Sequence, residues 1–150
     1  DLQTNYVIGP QDEAKIQYRV LDSVNAMREA IKLMPLTLNA ALNAAAATHS
    51  YDMSLQNRAW HFGSNGSSPV ERVKYISYSG QLLGENIAET YETEIQTVAA
   101  WMLMQDTRSV LLEEKARDMG FGYYQEENGK IWWTLVTGAP AGGSVQLAAN

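Results

Sequence analysis

The chain has 150 residues, enough for one domain that buries about two thirds of its unfolded surface. An apolar fraction of 45% with 19% charged residues excludes a disordered chain, and no apolar run approaches the roughly 18 residues of a membrane span. Seventeen acids against 11 scattered bases give a net charge of -6, which excludes a phosphate backbone as partner, and the lack of cysteine excludes disulfides, thiolate metal sites and a Cys nucleophile.

The chain begins at Asp1 without an initiator Met or a positively charged apolar leader, as expected either where a targeting segment has been removed or where the sequence itself has been trimmed. Residues 1–11, with Gly9-Pro10, predict an extended arm ending in a turn. From Asp12, Ile16, Val20, Val24, Met27 and Ile31 recur at three- and four-residue spacings, the stripe of an amphipathic helix that stops near Met34-Pro35. Leu36-Thr37-Leu38-Asn39 leads into an Ala-rich helix through Met53, whose Leu42, Ala45, Ala46, His49 and Met53 share a face. On that stripe, His49 is expected to be a hydrogen-bonded core residue.

Asn57 to Ser67 forms a Gly-, Asn- and Ser-rich loop holding Trp60-His61-Phe62-Gly63. Ser68-Pro69-Val70-Glu71 then carries a capping box with Pro at the first helical position, predicting a short helix through about Ile76, docked by Val70, Val73 and Ile76. Leu82 to Glu89 has strand character, and a second capping box, Thr93-Glu94-Ile95-Gln96, opens a helix with Ile95, Val98, Ala99, Trp101 and Met102 inward. Asp106 interrupts it and caps a further turn through Leu112. The period then becomes two, along 119–124 and 131–136, around a hairpin turn at Asn128-Gly129. After Thr137 the composition turns to Gly, Ala and Ser, and residues 139–150 are expected to form a poorly ordered tail. A hairpin and one earlier strand between apolar helices predict a layered α+β domain over residues 12–138.

Leu36-Thr37-Leu38-Asn39, His49-Ser50, Asp52-Met53, His61 with Gly63, Asn65-Gly66-Ser67-Ser68-Pro69, Arg72, Gly84-Glu85-Asn86-Ile87-Ala88, Trp101-Met102, Arg108, Met119-Gly120-Phe121-Gly122 and Trp132-Trp133-Thr134 form an ordered set. In order and spacing this set resembles the CAP superfamily, named for cysteine-rich secretory proteins, antigen 5 and pathogenesis-related proteins, and within it the cysteine-free bacterial branch. The resemblance implies an α-β-α sandwich with a small antiparallel sheet between helical layers, a secreted or periplasmic protein, and a surface cleft lined in the family by two His and two Glu that can hold a divalent metal. His61 matches the first His and Glu85 the Glu of Gly-Glu-Asn; Met104 stands where many relatives carry the other Glu, and Thr107, before Arg108, stands for the second His.

A catalytic zinc needs about three N, S or carboxylate ligands. His61 and Glu85 supply two, so no metal and no other cofactor is expected beyond a weakly held divalent ion. The expected cleft residues are His61, Glu85, Thr107 and Arg108, with Glu85 braced by His61 or Arg108. The preferred function is non-enzymatic binding of a lipid, sterol or other small ligand, with Tyr75, Tyr78, Tyr91 and Trp132-Trp133 as possible apolar contacts. Two alternatives stand beside it: an extracellular or envelope protein-interaction module, and a peptidase-like hydrolase in which Glu85 orients His61 and Ser64 or Thr107 is the nucleophile. The sequence sets neither a ligand nor an oligomeric state.

Overall fold

The computed structural model describes residues 6–141; the first five residues of the expected arm and residues 142–150 of the expected tail lie outside it. The elements in chain order are α1 (Glu13–Ala30), β1 (Thr37–Leu38), α2 (Ala40–Gln56), α3 (Pro69–Tyr75), β2 (Gln81–Thr90), α4 (Glu94–Leu103), α5 (Gln105–Leu111), β3 (Asp118–Gln125) and β4 (Ile131–Ala139). The sheet order is β1-β3-β4-β2. β2, β4 and β3 form the expected antiparallel unit, with Glu85 opposite Val136 and Phe121 opposite Leu135. The short strand β1 adds a parallel edge to β3, so the sheet is mixed. At two residues, β1 is too short to show a period.

Helices cover both faces, giving the α-β-α sandwich. On one face, Ile16, Val20 and Val24 of α1, Trp101 of α4 and Leu111 of α5 pack on Phe121, Trp133 and Leu135. On the other, α2 and α3 lie over β3 and β4, with Leu42, Ala45, Val73, Tyr78 and Val136 in a smaller cluster. The alternation of β3 explains how close α2 comes. Met119 and Phe121 face the large core, while Gly120 and Gly122 face α2, where an added Cβ would sit 2.2 Å from backbone atoms of Leu42 and Ala47.

Several boundaries differ from those expected. α1 ends at Ala30 rather than near Pro35, because Lys32 adopts φ 63° and the amides of Lys32 and Leu33 turn back to the carbonyls of Glu29 and Arg28. Ile31 is therefore outside the helix and exposed. Val70, Ile95 and Ala99 also face solvent, and α4 buries Glu94 and Thr97 with Val98 and Trp101. Glu94 can be buried because Arg19 and the Tyr6 hydroxyl both donate to it, at 2.7 and 2.6 Å. The α4–α5 break falls at Met104, in extended conformation, and Asp106 makes no side-chain cap. The hairpin turns as Glu126–Gly129 with only Gly129 at positive φ (97°), and β4 continues two residues past Thr137.

Candidate functional site

Glu85 sits on the edge strand β2, and its side chain is only 3% exposed. Successive strand residues face opposite sides. Glu85 therefore turns toward the α2–α3 layer, while the side chain of Asn86 turns to α5 and donates to the Thr107 carbonyl at 2.8 Å. Both carboxylate oxygens are occupied: Oε1 lies 2.8 Å from His61 Nδ1, and Oε2 accepts from Arg72 Nη1 at 2.5 Å. Arg72 also donates through Nη2 to the His61 carbonyl at 2.6 Å, closing a ring of three residues. A carboxylate taken out of water needs such charge-assisted partners, since an unpaired one would cost several kcal/mol.

The local sequence explains why these groups meet. The Ser68–Glu71 capping box, with both reciprocal hydrogen bonds formed, and Pro69 fix the start of α3, and Arg72 and Val73 are the residues α3 buries. The loop carrying His61 is stiffened on one side by Trp60, which packs on Phe62, lies under the Arg58 guanidinium and donates to Gln56 Oε1 at 2.9 Å. On the other side, the Gly63 amide donates to the Ser67 carbonyl and the Ser64 amide to Asp52 Oδ2. The His61 side chain stays 48% exposed.

The structure thus brings His61 and Glu85 together and makes Arg72, not Arg108, the cationic partner of Glu85. Arg108 donates to the Met102 carbonyl, and the Thr107 hydroxyl to the carbonyls of Trp101 and Met104, so both side chains bind the α4–α5 junction. Met104 is exposed. Arg72 belonged to the ordered motif set, but its role was missed because no local pattern pairs a helix residue with a strand residue 13 positions on. The phase that the capping box sets for α3 was the available signal.

Beside this ring, α2, the 63–67 loop and α3 enclose a cleft of about 400 Å³, walled by Ala45, Tyr51, Tyr75 and Ile76. Arg72 lines it and so connects it to Glu85. His49, 1% exposed, lines it from α2; its Nε2 meets the Trp60 carbonyl at 2.8 Å, as expected of a hydrogen-bonded core histidine. Burial lowers its pKa, a tendency that the charge of Glu85 opposes and that of Arg72 reinforces. Of the aromatics singled out, Trp132 and Trp133 are fully buried, and Tyr78 is buried with its hydroxyl on Asp118. Tyr75 and Tyr91 are exposed, and Tyr75 lines the cleft.

The donor set does not fit a tightly held divalent metal. Glu85 has both oxygens committed, and among the described residues no three His, Cys, Asp or Glu side chains are grouped to hold an ion. The His61–Glu85 pair has the form of a base with its orienting acid. However, among the described residues no hydroxyl, that of Ser64 included, hydrogen-bonds the His61 imidazole, and the Thr107 hydroxyl is used at the helix junction.

Residues 21–137 match the family model of the cysteine-rich secretory protein family, CAP. The uncharacterized protein YkwD of Bacillus subtilis is 31% identical over 123 residues, covering 82% of this chain and 47% of that protein, so the chain spans about half the length of the curated relative it matches. An outer surface protein of Borrelia burgdorferi superposes with a TM-score of 0.77 at 18% identity, over 91% of this chain and 99% of that one. An extracellular protein containing an SCP domain from Bacillus anthracis gives 0.74 at 23% identity, over 88% of this chain and 45% of that one. These likenesses show the fold, and no described helix is long and apolar enough to cross a membrane. The ordered motifs, the three-layer fold and the family match over residues 21–137 lead to one assignment: the chain is a member of the CAP, or cysteine-rich secretory protein, family.

Proposed function

We propose that this chain is an exported module that binds a lipid, sterol or other small ligand without chemically altering it, in the cleft beside His61, Glu85 and Arg72. One observation carries the reading: a cleft of about 400 Å³, within the range of small-molecule sites, adjoins an acid whose charge is already balanced inside the protein. Such a site offers shape and apolar surface, and the acid beside it, Glu85, already has both oxygens engaged. Thr107 and Arg108 act in this reading as braces of the α4–α5 junction. Export is supported by the outer-surface and extracellular descriptions of the structural relatives. Lipids extracted from the purified protein and analysed by mass spectrometry against a control protein test the reading; an empty extract together with no saturable sterol binding would overturn it.

A second reading, an envelope or extracellular interaction module, is favoured by Leu103 and Met104, which stand 80% and 65% exposed at the α4–α5 break. A stoichiometric partner recovered from the native secretome, and lost on Leu103→Ser, would support it over the small-ligand reading.

A further inference from the structure

We propose that the outer edge of β2 takes up an extended, basic segment of another protein as an added strand. The proposal rests on the interaction reading and names its surface and its partner. β2 ends the sheet on its side, so alternate residues turn their backbone groups away from β4. The hydrogen bonds fix which ones. The Phe121 amide donates to Asn43 Oδ1 and its carbonyl accepts from Gln17, so Phe121 and the opposite residue, Leu135, do not bond each other. Leu135 therefore bonds Asn86 of β2, and Glu85, Ile87 and Glu89 point outward. Trp101 agrees with this phase, since its Nε1 donates to the Ile87 carbonyl from α4 at 3.1 Å. The N–H groups of Glu85, Ile87 and Glu89 and the carbonyls of Glu85 and Glu89 have no partner among the described residues.

The two sides of this edge narrow the occupant. The Asn86 amide donates to the Thr107 carbonyl at 2.8 Å and the Thr107 hydroxyl to the Met104 carbonyl at 3.3 Å, which sets the exposed Leu103 and Met104 beside the middle of β2 on the α5 side. On the other side stand Glu85 and Glu89. Glu89 is the acid open to a partner: it is 42% exposed, and its contact with Lys130 is a surface ion pair of little strength. A second copy of this chain is a poor occupant, because antiparallel pairing about Ile87 would set Glu85 opposite Glu89 of the other copy, between two chains that each carry a net charge of -6. A strand with Lys or Arg on the Glu89 side and aliphatic residues toward Leu103 and Met104 suits both sides, and the same net charge attracts it.

Two peptides that differ only in charge test this: Ac-Lys-Val-Lys-Val-Lys-Val-amide and Ac-Glu-Val-Glu-Val-Glu-Val-amide, titrated into the whole ¹⁵N-labelled chain. The basic peptide should bind about tenfold tighter. At saturation it should slow amide exchange about tenfold at Glu85, Ile87 and Glu89, while Asn86 and Ala88, already bonded to β4, change little. Glu89→Pro should bind it about tenfold more weakly than Glu89→Ala, since both lose the carboxylate and only proline removes the outward N–H, leaving the ladder to β4 intact. Equal binding of the two peptides, slowing at outward and inward amides alike, or outward amides already protected in the free chain by a second copy or another segment would each overturn the proposal. These wild-type measurements decide whether or not the proline variant folds. If the alternation fails while Leu103→Ser still loses a secretome partner, the interaction reading survives; if neither peptide binds and no partner is recovered, both fall.

Discussion

Glu85 and His61 touch each other, yet their removal should have unequal consequences. Glu85 is 3% exposed and neutralises Arg72, itself 9% exposed, whereas His61 is 48% exposed. Glu85→Ala leaves a buried guanidinium without its counter-charge and should cost about 3 kcal/mol in urea unfolding; His61→Ala should cost under about 1 kcal/mol. Equal losses would show that Arg72 does not depend on Glu85. The same occupancy governs metal binding: calorimetry on metal-free protein should find no zinc site of nanomolar affinity, and a one-to-one site abolished by His61→Ala would refute the donor argument. His49 adds a pH dependence. Burial holds its folded pKa below the ordinary histidine value of 6.5, so between the two values the unfolded chain binds the proton and the folded chain does not. Stability should therefore fall as the pH drops below about 6.5, until the folded value is reached. The groups acting on the ring are Glu85, Arg72, Asp52 and the Trp60 carbonyl. Urea midpoints at pH 7 and pH 5 should differ less for His49→Gln than for wild type, and an unchanged difference would exclude His49 as the source. Of the site, His61 and Glu85 were legible through the ordered motif set. Arg72 as the bridge was not, since pairing between distant elements is set by packing.

Elements whose ends are written in side-chain chemistry were legible. Both capping boxes form as predicted, because Ser68 with Glu71 and Thr93 with Gln96 satisfy donors within four residues. Helix ends made by the backbone were not. Lys32, Asn57 and Ser77 hold left-handed conformations at 63°, 54° and 63° after α1, α2 and α3, in places where no glycine marks the stop. The facing residues of α4 were misjudged for a related reason: Glu94 is buried only because Arg19 and Tyr6, distant in sequence, receive it. Between elements, the tightest fit is α2 against β3. Gly122→Ala would place a Cβ 2.2 Å from the Ala47 amide nitrogen, a backbone atom that cannot turn away. Separation of α2 from the sheet should cost about 2–3 kcal/mol, read as a lower urea midpoint with unchanged slope. A neutral outcome would mean that α2 can shift freely on the sheet.

The two faces of the sheet are unequal, and the cleft follows from that inequality. One face is closed by α1, α4 and α5 over a continuous aromatic and aliphatic core; on the other, α2 lies tight on the glycines of β3 while α3 stands off, leaving the cleft between them. Opening energies within one domain track how much each unit buries. Eight of the nine residues of β4 are buried, whereas α3, seven residues long, buries Arg72 and Val73. The ion pair from Arg72 to Glu85 is thus the main polar tie of α3 to the sheet. Amide hydrogen exchange should therefore release α3 and the 63–67 loop well before β3 and β4, and Glu85→Gln, which weakens that tie without emptying the site, should speed exchange in α3 while leaving β4 unchanged. A ligand seated in the cleft touches both α2 and α3, so it should slow α3 selectively. Exchange of α3 at the rate of β4 would show that the helix opens only with the whole domain, and the cleft would then have to admit its ligand without any movement of that wall.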